Sequence, residues 1–186
     1  MKGYYWEVFG SIQTENEAYR KLLLSFLKEQ DRCKEMPYVS GKDGATPLFV
    51  SSSLGYIDFV QYFIVKCRHH IDIIDKEGRS PFFVACENGH IAVVKNLRKY
   101  HKDVNSKNAS KTTILSATCL NGHIEVAQLL LDNKADIGIT NELNQNTFHF
   151  ACLNGNVQLV SLLLSAYNVD ITLRNTIAQI DLHKAY

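Results

Sequence analysis

No apolar run in this 186-residue chain approaches the roughly 18 residues that a membrane-crossing helix needs. Membrane insertion is therefore not expected. Charge of one sign is not in excess either: the net charge is +1, so no overall field draws the chain to nucleic acid or to an anionic bilayer. The opening Met1-Lys2-Gly3-Tyr4-Tyr5-Trp6-Glu7 lacks the apolar core of a secretory leader. There is no phosphate-cradling glycine loop, no Gly-x-Ser-x-Gly and no His-Glu-x-x-His. The carboxylates are scattered, with no pair suited to acid–base work. These absences remove the enzyme classes with a sequence signature, and we expect no catalytic residue, no cofactor and no metal. The expected setting is cytoplasmic or nuclear.

What is present is a period. Gly55, Gly89, Gly122 and Gly155 follow one another at steps of 34, 33 and 33 residues, and their surroundings recur with them: Leu54-Gly55-Tyr56, Asn88-Gly89-His90, Asn121-Gly122-His123 and Asn154-Gly155-Asn156. Self-similarity at one fixed step across most of a chain marks stacked repeats. Each copy has a physical reading. Thr46-Pro47 and Ser80-Pro81 set a hydroxyl before a proline, which starts a helix: the side chain caps an orphan amide and Pro suits the first helical position. A short helix follows, ended by the glycine, which tolerates the left-handed turn of a helix terminus. A second helix carries apolar residues at fixed offsets, as in Ile57, Phe59, Val60 and Phe63, or Ile124, Val126, Ala127 and Leu130. That stripe must be buried, and no unit can bury it alone, so neighbours stack.

Ser80-Pro81-Phe82-Phe83-Val84-Ala85-Cys86 with Gly89-His90, followed by Lys134-Ala135-Asp136 a repeat later, resembles the ankyrin repeat. The resemblance covers about residues 41–186. It implies an all-α solenoid of L-shaped helix pairs with a β-hairpin or β-turn finger at each junction, and a role as a protein-binding scaffold. On this reading residues 1–40 form an N-terminal helical cap. Repeats span 41–74, 75–107, 108–140 and 141–174, with a truncated fifth at 175–186. In the cap, Tyr4, Tyr5, Trp6 and Phe9 either pack over the first repeat or serve as a docking peptide. Asn16 to Lys28 reads as a helix whose Leu23, Phe26 and Leu27 repeat the spacing of Val60, Phe63 and Ile64. The fifth unit either belongs to a longer array or closes this one as a stub. Its residues are expected to fray or to make end-to-end contacts of an otherwise monomeric chain.

The later repeats depart from the pattern. Thr113-Ile114 and Asn146-Thr147 stand at the Thr-Pro position, and Lys111 and Asn144 replace Gly78. Asn108, Asn141 and Asn175 take the place of Asp75, and each can close a turn through its own side chain. Of five cysteines, Cys86, Cys119 and Cys152 recur 33 residues apart at one helix position. Stacked helices sit ~10 Å apart, beyond the ~7 Å that a disulfide spans. They are expected to be reduced core residues, and Cys33 and Cys67 to be unpaired. His90, His123, His149 and His183 recur with the repeat and read as packing residues. Cys67-Arg68-His69-His70 is off-period, but zinc needs four ligands and no second cluster is at hand.

Two surfaces compete for the partner. The resemblance points to the finger tips and exposed first-helix ends of the concave side. In repeats one and two these are Lys42, Asp43, Ala45, Ser53 and Leu54, then Lys76, Glu77, Arg79, Glu87 and Asn88. In repeats three and four they are Ala109, Ser110, Thr112, Leu120 and Asn121, then Glu142, Leu143, Gln145, Leu153 and Asn154. Leu120, Leu143 and Leu153 either form an apolar binding patch or pad the helix stack. The rival is a basic edge, Lys95, Arg98, Lys99, Lys102, Lys107 and Lys111, set against the single acid Asp103. That edge suits an acidic or phosphorylated segment or an anionic lipid, although part of it complements a helix C-terminus. Tyr100 alone interleaves with these bases, too little stacking surface for nucleic acid.

Overall fold

The computed structural model describes residues 17–30, 43–66, 71–101 and 103–166. Helix α1 (Glu17–Gln30) precedes four helix pairs. These are α2 (Pro47–Ser53) with α3 (Ile57–Lys66), α4 (Pro81–Glu87) with α5 (Ile91–Leu97), α6 (Ile114–Leu120) with α7 (Ile124–Asp132), and α8 (Thr147–Asn154) with α9 (Val157–Ala166). The expected aromatic head, Cys33, the Cys67 to His70 cluster, Lys42, Lys102 and the fifth unit from Asn175 lie outside the described residues.

Each first helix begins as its sequence requires. The side-chain oxygens of Thr46, Ser80, Thr113 and Asn146 accept from the amides of Phe49 (3.2 Å), Phe83 (3.1 Å), Ser116 (3.1 Å) and His149 (3.3 Å). Each cap satisfies one orphan donor of the first turn. Proline is therefore dispensable in repeats three and four, because the capping oxygen survives its loss. Gly55, Gly89, Gly122 and Gly155 end these helices at φ of 74–77°.

First helices pack on first helices along the stack, and second helices on second helices. The faces between them are dry: Val60, Val93, Val94, Leu97, Ile114, Leu130, Leu159 and Leu163 are inaccessible or nearly so. Cys86, Cys119 and Cys152 are fully buried, and their thiols are reduced. Burial pushes the Cys119 thiol up to about 12 and that of Cys86 well above its ordinary value. Where repeat one has Ser51 and Ser52 in place of small apolar residues, their hydroxyls donate to the carbonyls of Pro47 (2.8 Å) and Leu48 (2.7 Å) one turn back. A buried hydroxyl is thereby tolerated. Helix α1 buries Leu23, Leu24 and Leu27, and the Tyr62 hydroxyl of α3 donates to the Leu27 carbonyl at 2.8 Å.

The junctions are tight five-residue turns. The amides of Asp75, Asn108 and Asn141 donate to the carbonyls of Arg79, Thr112 and Gln145, each at 3.0 Å. Among the described residues the only β-pairing is the single bridge between Lys107 and Thr113. Turns this short leave no room for a ladder, so the implied hairpin fingers take their β-turn form. The fourth turn position is left-handed in all four: Gly44 at 80°, Gly78 at 74°, Lys111 at 60° and Asn144 at 57°. Two side chains thus occupy a conformation that glycine adopts at no steric cost.

Candidate partner-binding face

The finger turns are organised by a side chain at their first residue. Asp75 Oδ1 accepts from the amides of Glu77 (3.0 Å) and Arg79 (2.8 Å). Asn141 Oδ1 does the same for Leu143 and Gln145, both at 2.9 Å, and Asn108 Oδ1 for Thr112 at 3.0 Å. Successive fingers are then joined through the backbone: the Lys76 amide donates to the Asp43 carbonyl at 2.8 Å, and the Ala109 amide to the Glu77 carbonyl at 2.7 Å. Between repeats three and four the fingers meet through Lys111 Nζ and Glu142 Oε1 at 3.5 Å.

Arg79 is not an open tip. Its Nε and Nη2 donate to Asp75 Oδ2 at 3.0 and 2.9 Å, and Nη1 lies 3.2 Å from both Glu77 and Glu87. The guanidinium also stands over the Phe49 ring of the preceding repeat, 5.7 Å from its centroid. Burial alone would lower its pKa, but Asp75, Glu87 and Glu77 hold it above the ordinary value. Glu87 fares differently. Burial raises its pKa, Arg79 opposes that without cancelling it, and Glu77 and Asp75 add repulsion. The two shifts run upward for different reasons: three carboxylates around one cation raise Arg79, and burial chiefly raises Glu87.

Asn88, Asn121 and Asn154 belong to an inter-repeat ladder. Their Nδ2 atoms donate to the carbonyls of Ser53, Glu87 and Leu120 in the preceding repeat, each at 2.9 Å. Residues at the ends of α2, α4, α6 and α8 are thereby held in one row. In that row Leu120 is 41% and Leu153 37% exposed, and Leu143 on the fourth finger is 54% exposed. On the fingers Asp43, Lys76, Glu77 and Glu142 are exposed as well, with Thr112 and Gln145 half-buried.

The basic edge is less of a unit than its spacing suggests. Lys95 pairs with Glu125 at 3.6 Å, Lys111 with Glu142, and Arg98 Nη1 donates to the His101 carbonyl at 2.7 Å. Lys99 and Lys107 are exposed. His101 itself escaped the periodic reading because its counterpart in repeat three is Lys134. It is buried, stacked on Phe82 at 4.6 Å, and its Nδ1 and Nε2 meet Asp72 Oδ1 (2.9 Å) and the Asp103 carbonyl (2.8 Å). It pins repeat two to repeat one.

Among the described residues no group of three His, Cys, Asp or Glu side chains is placed to hold a metal ion, and no helix is long and apolar enough to cross a membrane. A family model for ankyrin repeats, three copies long, matches residues 12–108 and again 94–175. The chain is also similar to protein fem-1 homolog CG6966 of Drosophila melanogaster, with 29% identity over 119 residues, 59% of this chain. The match spans 18% of the fly protein's length.

Proposed function

The chain belongs to the ankyrin repeat family, and from that premise we propose that it is a non-enzymatic module holding a partner protein on its concave face. Ankyrin repeats generally mediate protein–protein interaction. The observation that carries the choice of face is the exposure of Leu120 and Leu153 at the first-helix ends and of Leu143 on the fourth finger, among polar groups. Apolar side chains exposed in this way gain free energy when a partner covers them. The asparagine ladder ties the first-helix ends, and backbone bonds tie the first three fingers, before any partner arrives, which lowers the ordering cost of binding there.

Affinity capture tests this reading against the basic edge. Partners held by the leucine row should survive high salt and be lost from a Leu120→Ala/Leu143→Ala variant. Partners held by the edge should wash off as ionic strength rises and be lost from a Lys99→Gln/Lys107→Gln variant. The second pattern alone would overturn the concave assignment.

A further inference from the structure

The stack sets two rows of equivalent residues side by side. At the first-helix ends the row reads Ser53, Glu87, Leu120, Leu153, tied by the asparagine ladder. On the fingers it reads Asp43, Glu77, Ser110, Leu143, with the first three fingers tied by backbone bonds. Both rows begin polar or acidic and end in leucine. They touch at repeat two, where Glu77 and Glu87 each stand 3.2 Å from Arg79 Nη1.

The charge at that point is not balanced. Arg79 is already committed to Asp75, so three carboxylates surround one guanidinium. Lys76 and Asp43, the other described charges of the first two fingers, offset each other. Among the described residues two negative charges remain uncompensated there, on a face whose far half exposes Leu120, Leu143 and Leu153 among polar groups. Burial, and to a smaller extent Glu77 and Asp75, keep the Glu87 carboxyl above its ordinary range despite Arg79.

Resting on the concave-face reading above, we propose that the occupant is a partner-protein segment with one polarity, a Lys or Arg over Glu77 and Glu87 and apolar side chains over Leu120 and Leu153. The repeat spacing sets its pattern. Stacked helices lie ~10 Å apart. An extended segment rising ~3.3 Å per residue covers one repeat in three residues, and a helix rising 1.5 Å covers it in about seven. The cation is therefore followed, in either chain direction, by apolar residues about three and six positions away if extended, or about seven and fourteen if helical.

Selection of a displayed library of random 20-residue peptides against the full chain tests this. Enriched peptides should carry that pattern. Their Kd, read by fluorescence anisotropy, should rise about 10-fold or more with Glu77→Gln/Glu87→Gln and with Leu120→Ser/Leu153→Ser, and only the carboxylate change should remove the salt dependence. Glu77→Gln alone, at a side chain 69% exposed, gives the same direction without endangering the fold; thermal melts accompany every variant. No enrichment, or enrichment of acidic or uncharged peptides, overturns the proposal. Peptides lost with the leucines but indifferent to the carboxylates leave the concave face standing and remove its polarity. Peptides indifferent to both, and lost with Lys99→Gln/Lys107→Gln, remove the concave face as well.

Discussion

The ring of His90 packs against the α-carbon of Gly55 in the preceding repeat, so closely that a methyl group there would stand 2.6 Å from Nδ1. The same ring meets the Ser53 carbonyl through Nε2 at 2.8 Å. Gly55 is needed twice over, for its φ of 74° and for the space the imidazole fills. Gly55→Ala should cost more than about 2 kcal/mol, the sum of left-handed strain and overpacking. Adding His90→Ala should return the overpacking part but not the strain. Urea midpoints of the two single variants and the double variant separate the terms, and strictly additive effects would show that the contact is not the cause.

Lys111 holds a left-handed turn position, φ 60°, that Gly78 fills in repeat two. Lys111→Gly should stabilise the chain by about 0.5–1 kcal/mol, because relief of strain outweighs the added freedom of the unfolded chain. The ion pair lost with it, to Glu142, is exposed at both ends and contributes little. A lower urea midpoint for the variant would contradict this.

Arg79→Ala should destabilise by about 2 kcal/mol or more, since Asp75, whose side chain is 4% exposed, loses its charged partner. Leu120→Ala should cost no more than about 1 kcal/mol, as expected of a partly exposed side chain. Binding assays on Arg79 variants therefore need a folded-fraction control. Equal melting temperatures for the two variants would count against the ion-pair account.

Glu87 gives a pH signature. Its folded pKa is raised, chiefly by burial, so the folded state binds the proton more tightly than the unfolded state does. Its contribution is fully present below the unfolded value near 4.5 and is lost as pH rises through the folded value. Glu87→Gln should therefore gain stability relative to the parent as pH climbs above 4.5 toward neutrality. A difference that is flat with pH, or that shrinks, would remove burial as the cause.

The thiols of Cys86 and Cys119 should not react with a disulfide reagent at pH 8 while the chain is folded, because the thiolate is the reactive form and burial suppresses it, and buried Cys152 should be shielded from the reagent as well. In denaturant all five cysteines of the chain should titrate as free thiols without added reductant. Rapid labelling of Cys119 in native buffer would show that the stack opens locally.

The period of 33 residues was enough to read the four helix pairs, their capping residues, the turn-closing Asn108 and Asn141 and the burial of the three recurrent cysteines. These depend on contacts within a repeat or on one repeated packing position, and both leave a local pattern. What the tertiary structure decided are the contacts between one repeat and the next. Asn88 and Asn121 recur visibly, yet only the stacking offset shows their amides reaching the carbonyls of Ser53 and Glu87. Arg79 reads as an exposed tip until the turn at Asp75 folds it back onto three carboxylates and the Phe49 ring. His101 breaks the period and so carried no signal, although it bonds across repeats to Asp72. A period records what each unit repeats; the reach of a long side chain across an interface depends on the spacing and rotation between units, which no single unit encodes.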